Sequence, residues 1–420
     1  MKIKMESFDL MQYFYGSVHD PLIHGLFRLS GHLDAHVLKK AVTLSEKAVP
    51  LIGCICRIKA GGLRWEQRNF TGEDMVHIVE AAADDEGLPE SLLASPIDIT
   101  REPQLKIFLI RYADNDTLCV IINHMVTDGA GFKEYLYLLC SLYACCRGET
   151  TDIPDLTPFP RGTGQLFRRF GPMEKLGILF SKYDLSMQKR QSAYKLEGDR
   201  NNPFFATYRI GREEFLNIKA CAKGREATVN DMIIAAYARV LAEKTADRHV
   251  ILPCPVDLRK YRPEAYRSVS NLTSNYICEL DIGEDSPFDD TLTQVSGQMG
   301  KHKQSDNCLK SVISLEAAFH ILPFRILQKG FRKVFTIPVV SYTNLGILNK
   351  EKLRFEDIEI TDAFLTGTVK YVPYFQIAVS TFDDAVTLSC NLHGTPKDRE
   401  NIDAFLKQIH QEITTCLKAV

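Results

Sequence analysis

The chain has 420 residues, with 51 Lys and Arg against 53 Asp and Glu and a formal net charge of −2. That balance excludes a general nucleic-acid binder, which needs a basic excess to displace counterions. With 45% hydrophobic and 25% charged residues, the make-up is that of a globular chain of two or three domains at roughly 150 residues each. No run of about 18 apolar residues occurs, so no transmembrane segment is expected. Glu6 and Asp9 interrupt the opening MKIKMESFDLMQYF, which does not read as a signal peptide, and a cytoplasmic protein is expected. The 12 cysteines are too sparse for a disulfide scaffold. With no CxxC and no His/Cys cluster at zinc spacing, they read as reduced structural thiols, and no metal site is expected.

In chain order, HGLFRLSG (24–31) reads as a short strand. Asp34 can cap a helix through about Val49, with Val37, Leu38, Ala41, Leu44 and Ala48 on one face. LIGCICRI (51–58) reads as a strand that places Cys54 and Cys56 on one face as small hydrophobes. Gly61-Gly62 marks a turn, and LRWEQR the returning hairpin partner. QLKIFLIRYA (104–113) and TLCVIINH (117–124) form two strands joined by Asp114-Asn115-Asp116. The second is apolar from Leu118 to Ile122, as expected of a strand buried on both faces. A helix over 131–146 follows, with Phe132, Leu136, Leu139 and Tyr143 at helical spacing.

Residues 147–205 hold Pro154, Pro158, Pro160, Gly162, Gly164 and a basic excess that includes Arg161. They read as a crossover linker with one or two helices, its charges a solvated face, and the domain boundary falls within it. Aromatic and apolar residues of GILFSKYDLSMQ (177–188) read as packing. Thr228 to Lys244 is a helix opened by a Thr228/Asp231 variant of the capping box. HVILPCPV (249–256) is a buried strand, and KVFTIPVVS (333–341) another, weakened by Pro338. YFQIAVSTFDD (374–384) and AVTLSCNLHG (385–394) form a hairpin. A final helix over 398–418 carries Ile402, Phe405, Leu406, Ile409 and Ile413 on one stripe.

The most informative segment is Ile121-Ile122-Asn123-His124-Met125-Val126-Thr127-Asp128-Gly129. A buried strand ends in a histidine; a carboxylate follows four residues on, then a glycine and a helix. Sites in open α/β sheets form beyond the carboxyl ends of strands. A histidine there, with a pKa near 6.5, is largely neutral at pH 7 and can act as a general base. Asp128 can hold the turn through backbone amides or an arginine, and Gly129 can supply an unusual backbone conformation or a close approach. The competing reading of His124 is a satisfied structural group at a strand end. No Gly-x-Ser-x-Gly, Walker loop or dinucleotide glycine pattern is present. His19, His24, His32, His36, His77, His249, His302, His320, His393 and His410 lack ligand spacing and read as structural.

His-x-x-x-Asp-Gly at a strand end resembles the signature of the CoA-dependent acyltransferase superfamily, which includes chloramphenicol acetyltransferase, alcohol acetyltransferases and condensation domains. Four further segments are similar to that family in order. They are LFRLSGHLDAHVLKKAVTLSEKAVPL (26–51), ATVNDMIIAAYARVL (227–241), PVDLRKYRP (255–263) with Ser270-Asn271, and SYTNLG (341–346). The resemblance implies an α/β fold of two chloramphenicol acetyltransferase-like lobes, residues 1–175 and 176–420. Each lobe would be a mixed sheet with flanking helices, and the two would meet in a V around a tunnel. It implies that His124 is the base for acyl transfer from a thioester to an alcohol or amine, with no covalent enzyme intermediate, no metal and no permanently bound cofactor. Asp128 would pair with Arg259, with Asp257 and Asn271 in support. The rival reading of Arg259 is a surface charge on a loop, since Lys260 and Arg262 sit beside it. Asn344, Gly346 and Ser341 would serve the substrate or its oxyanion; a turn following the strand is the alternative. Many relatives carry two successive histidines; Asn123 stands at the first and can fix the turn. The implied partners are acyl-CoA as co-substrate and a small-molecule acceptor, with an acyl carrier protein as alternative donor. A monomer is expected. A third reading, a binding protein that kept the fold without turnover, stays open.

Overall fold

The computed structural model describes residues 2–59, 62–82, 85–148, 150, 154–180, 192–262, 268–334 and 337–418. The fold is mixed α/β, with several sheets and flanking helices. One sheet has the spatial order Ile360–Thr366, Leu22–Leu29, Asp116–Asn123, Leu105–Arg111, Val76–Glu80. Its neighbours are antiparallel except the last pair, which is parallel. Every residue of Asp116–Asn123 is buried. Its alternation divides two apolar clusters: Leu118, Val120 and Ile122 face one, Cys119 and Ile121 the other. A strand covered on both faces needs no polar alternation, which explains its continuous apolar run.

The larger second sheet runs Val340–Leu348, Phe375–Phe382, Ala385–His393, Val369–Tyr371, His19–Asp20, with Pro203–Ile210 also paired to Ala385–His393. A separate antiparallel ribbon joins His249–Asp257 to Thr273–Asp281. The final helix Pro396–Lys418 buries Ile402, Phe405, Leu406, Ile409 and Ile413 completely. Such a stripe contributes roughly 1.5–3 kcal/mol per large side chain in transfer free energy. The sheets do not divide where the chain would be cut at 175. Ile360–Thr366 extends the first sheet, while His19–Asp20 closes the edge of the second. This exchange brings the ends of both sheets next to His124.

Several local expectations change. Pro50–Gly53 is a 3-10 turn, so the strand begins only at Cys54. The helix capped by Asp34 ends at Ser45. The strand expected over 333–341 begins at Val340, after Pro338. Residues 333–334 close the helix Phe324–Val334, and 335–336 lie outside the described residues. Proline has no amide hydrogen for the ladder, so pairing starts beyond it. In the linker, Thr163–Phe167 and Pro172–Leu179 are helical, while 181–191, most of GILFSKYDLSMQ, lie outside the described residues. The 12 cysteines are unpaired and nine of them, including Cys54 and Cys56, are buried.

Candidate active site

The strand Asp116–Asn123 stops because its last side chain turns back on the chain. Asn123 Oδ1 accepts from the Met125 amide at 2.8 Å, and its Nδ2 donates to Gln104 Oε1 at 2.8 Å. The Asn123 carbonyl accepts from the Val126 amide at 2.8 Å. Asn123 is thus a clamp on the turn and, fully buried, presents nothing to a substrate. Arg161 holds the same turn from outside. It donates to the Val126 carbonyl at 2.8 Å and the Met125 carbonyl at 3.2 Å, and pairs with the buried Asp9. This corrects the reading of the basic linker as a solvated face at Arg161, whose side chain is only 14% exposed. No spacing signal links Arg161 to the turn.

Asp128 caps the helix Gly129–Arg147, accepting from the Gly131 amide at 2.8 Å. The same carboxylate takes Arg259 Nη2 at 3.0 Å and Nη1 at 3.1 Å, the Leu272 amide at 2.7 Å and Thr273 Oγ1 at 2.8 Å. Arg259 also donates to Asp257 Oδ1 and to the Ser268 and Ser270 carbonyls. Asp257 itself is half-exposed and caps the short turn that carries Arg259. Burial by itself would raise the Asp128 pKa. The Arg259 charge and its hydrogen bonds override burial and hold the carboxyl below its usual range. With its lone pairs committed to five donors, Asp128 has no free capacity for proton transfer. It joins the strand–helix turn to residues 268–273. Arg259 is buried in this joint and is not a surface charge.

His124 is held on one side. Its amide donates to the Pro21 carbonyl at 2.8 Å. Asn271 Nδ2 donates to the His124 carbonyl at 2.7 Å, and Asn271 Oδ1 lies 3.2 Å from His124 Nδ1. The first bond fixes which way the amide of Asn271 faces, because only nitrogen can donate to a carbonyl. Its oxygen therefore faces Nδ1, and oxygen there can only accept. Nδ1 must carry the hydrogen, and the lone pair is left on Nε2. Among the described residues Nε2 makes no hydrogen bond, and the residue keeps part of its surface open. Burial of the imidazole lowers its pKa, so the ring is neutral at pH 7.

Gly129 makes a close approach: a Cβ there would overlap Leu345. Gly131, not singled out by the motif, is more constrained. A Cβ would collide with Thr127 and lie 2.9 Å from the Ser268 carbonyl oxygen and 3.0 Å from the Ser270 nitrogen. Ser341, Asn344 and Gly346 lie within the strand Val340–Leu348, so the alternative of a turn following the strand does not hold. A bulge falls between Asn344 and Gly346, with Gly346 at φ 77°, a conformation suited to glycine. Asn344 is exposed. Its Nδ2 donates to Asn230 Oδ1 at 2.7 Å and its Oδ1 accepts from the Gly346 amide at 2.8 Å. The Ser341 hydroxyl reaches the Phe375 carbonyl at 3.4 Å. The bulge meets the His124 region through Leu345 at Gly129.

Sequence reading missed two further groups. His19, taken as one more structural histidine, and Lys370 are paired across adjacent strands and buried, with Nζ 3.1 Å from Nδ1. Both lie within electrostatic reach of His124. Only the pairing of His19–Asp20 with Val369–Tyr371 brings them there, and no local pattern announces it. Among the described residues no group of three His, Cys, Asp or Glu could hold a metal ion, and no helix is long and apolar enough to cross a membrane.

No family model matches the chain. Over 313 residues, 70% of this chain, it is 22% identical to nonribosomal peptide synthetase kk1B of Curvularia clavata. Over 138 residues it is 27% identical to cyclosporin synthetase simA of Tolypocladium inflatum. The matched regions span 2% and 1% of those proteins. Among solved structures, the first condensation domain of the calcium-dependent antibiotic synthetase superposes with a TM-score of 0.72 at 13% identity, covering 99% of this chain and 97% of that one. The TRI3 trichothecene 15-O-acetyltransferase from Fusarium sporotrichioides gives 0.72 at 11% identity, covering 99% and 95%. The epimerization domain of tyrocidine synthetase B gives 0.71 at 14%, covering 100% and 97%.

Proposed function

We propose that this chain, which has the fold of the condensation domains and of the trichothecene acetyltransferase, is an acyltransferase that uses His124 as its base. Fold alone does not choose the reaction, since an epimerization domain shares it. The observation that carries the reading is the state of His124. Its Nδ1 hydrogen is committed to Asn271, its Nε2 lone pair is unengaged among the described residues, and burial keeps it neutral.

In the proposed reaction Nε2 takes the proton from an acceptor hydroxyl or amine. The acceptor oxygen or nitrogen attacks the thioester carbonyl carbon, the carbon–sulfur bond breaks, and the leaving thiolate takes the proton back from Nε2. General-base assistance is worth roughly 10²–10⁴-fold in rate. Acyl-CoA is the proposed donor; an acylated carrier protein is the alternative, supported by the likeness to peptide synthetases.

The test is thiol release from acyl-CoA and, separately, from an acylated carrier protein, each with a panel of alcohols and amines. Turnover that falls about 10²–10⁴-fold in His124→Ala supports the reading. Unchanged turnover in that variant removes His124 as base. Absence of turnover with every thioester, together with binding of acyl chains, favours a binding protein of this fold.

A further inference from the structure

Lys370 is 8% exposed, and among the described residues it has no carboxylate within ion-pair distance. Its polar contact is His19 Nδ1 at 3.1 Å. An ammonium group buried without a counter-ion is strongly disfavoured. Two buried polar atoms nearby are also unmatched. His19 Nε2 has no partner in a residue 5% exposed, and neither has the Thr368 hydroxyl in a residue 4% exposed, two positions before Lys370. Unpartnered groups at such depth are rare. When Lys370 is protonated it can only donate, so His19 Nδ1 accepts and Nε2 carries the hydrogen. The ammonium and the imidazole N–H are then donors, and the hydroxyl is able to donate, with no anion among them. The group sits beside the base: the His124 amide donates to the carbonyl of Pro21, two residues beyond His19.

We propose that Lys370, with His19 at its side, binds a carboxylate carried by the acceptor that reacts at His124, so that the acceptor class is hydroxy or amino acids. This rests on the acyltransferase reading. A carboxylate supplies the missing negative charge and takes two or three donors in charge-assisted hydrogen bonds. Burial lowers the free Lys370 pKa to about 7, so the site can stay neutral when empty and charge on binding.

The experiment is calorimetric binding at pH 8 of lactate and 4-hydroxybutyrate against lactamide and 4-hydroxybutanamide, without thioester, in two buffers of different ionisation heat. An acid should bind about tenfold or more tighter than its amide, a preference lost in Lys370→Met and kept in His124→Ala. Should Lys370→Met fail to fold, the wild type still decides. Acid binding should draw in close to one proton, and amide binding none. Of the other titratable groups around Lys370, His19 and His124 stand below their usual pKa, Asp20 near 6 and Cys390 near 12, so none of them changes state at pH 8. The proposal is overturned by no acid binding at millimolar concentration, by equal affinity for acid and amide, or by a preference that survives in Lys370→Met. Inorganic phosphate binding as tightly as the acids also overturns it, since the site would then serve the donor's phosphates. Thiol release in His124→Ala judges the acyltransferase reading separately.

Discussion

Asn271 grips His124 at both ends of the residue, donating to its carbonyl at 2.7 Å and standing 3.2 Å from its Nδ1. The pair spans 147 positions of sequence. The grip fixes both where the ring points and which nitrogen is basic. Asn271→Leu should therefore lower kcat of the proposed transfer by about 10–100-fold, with little change in KM, because the neutral ring loses its preferred tautomer. Asn271→Asp keeps the Nδ1 acceptor and adds a charge, so the pKa of His124 should rise. A ¹⁵N spectrum of the imidazole reads the tautomer directly. An unchanged tautomer ratio in Asn271→Leu would show that the ring is fixed by something else.

The pH dependence follows from burial. The folded pKa of His124 lies below the ordinary 6.5, so the acid limb of kcat/KM should fall at a pH below 6.5, where the base becomes protonated. The same shift means that the unfolded chain binds this proton more readily. The stability from His124 should therefore be complete above pH 6.5 and be lost as pH falls from there through the folded value, and denaturant midpoints between pH 7 and pH 5 measure it. Those midpoints also report His19 and His24, both lowered by burial, so the comparison with His124→Ala isolates the single group.

Breaking the Asp128–Arg259 pair should cost about 3–5 kcal/mol in either Asp128→Asn or Arg259→Met, because each leaves the other group buried without compensation. Guanidinium chloride unfolding measures this. Asp128 lies below its unfolded pKa, so its contribution is present above about pH 4 and disappears as pH falls through the folded value. A loss under 1 kcal/mol would mean that the joint between the site turn and residues 268–273 does not hold the fold.

The two glycines of the site turn, Gly129 of the motif and Gly131 beyond it, should separate. Gly131→Ala meets backbone atoms of Ser268 and Ser270, which cannot swing aside, and should cost about 2–4 kcal/mol along with most activity. Gly129→Ala meets only the end of the Leu345 side chain, which can change rotamer, and should cost about 1 kcal/mol or less. Thermal melts of the two variants, run side by side, check the order.

The segments that could be read from sequence are those whose cause is local. The continuous apolar run at 118–122 marks a strand covered on both faces, and it is buried throughout. Thr228 with Asp231, and Asp34, mark helix starts through side chains that bond amides within three residues. Chain spacing also makes His124 a candidate base at a strand end. Reading fails where the partner is distant. Arg161 at the turn, Asn271 at the imidazole, Gly131 against Ser268, and Lys370 beside His19 are brought together by strand pairing and helix docking. Periodicity records only which face of an element avoids water. The choice of basic nitrogen, the depth that keeps the imidazole neutral and the uncompensated Lys370 arise when separate elements close on one another, because desolvation and hydrogen-bond partners belong to the packed chain.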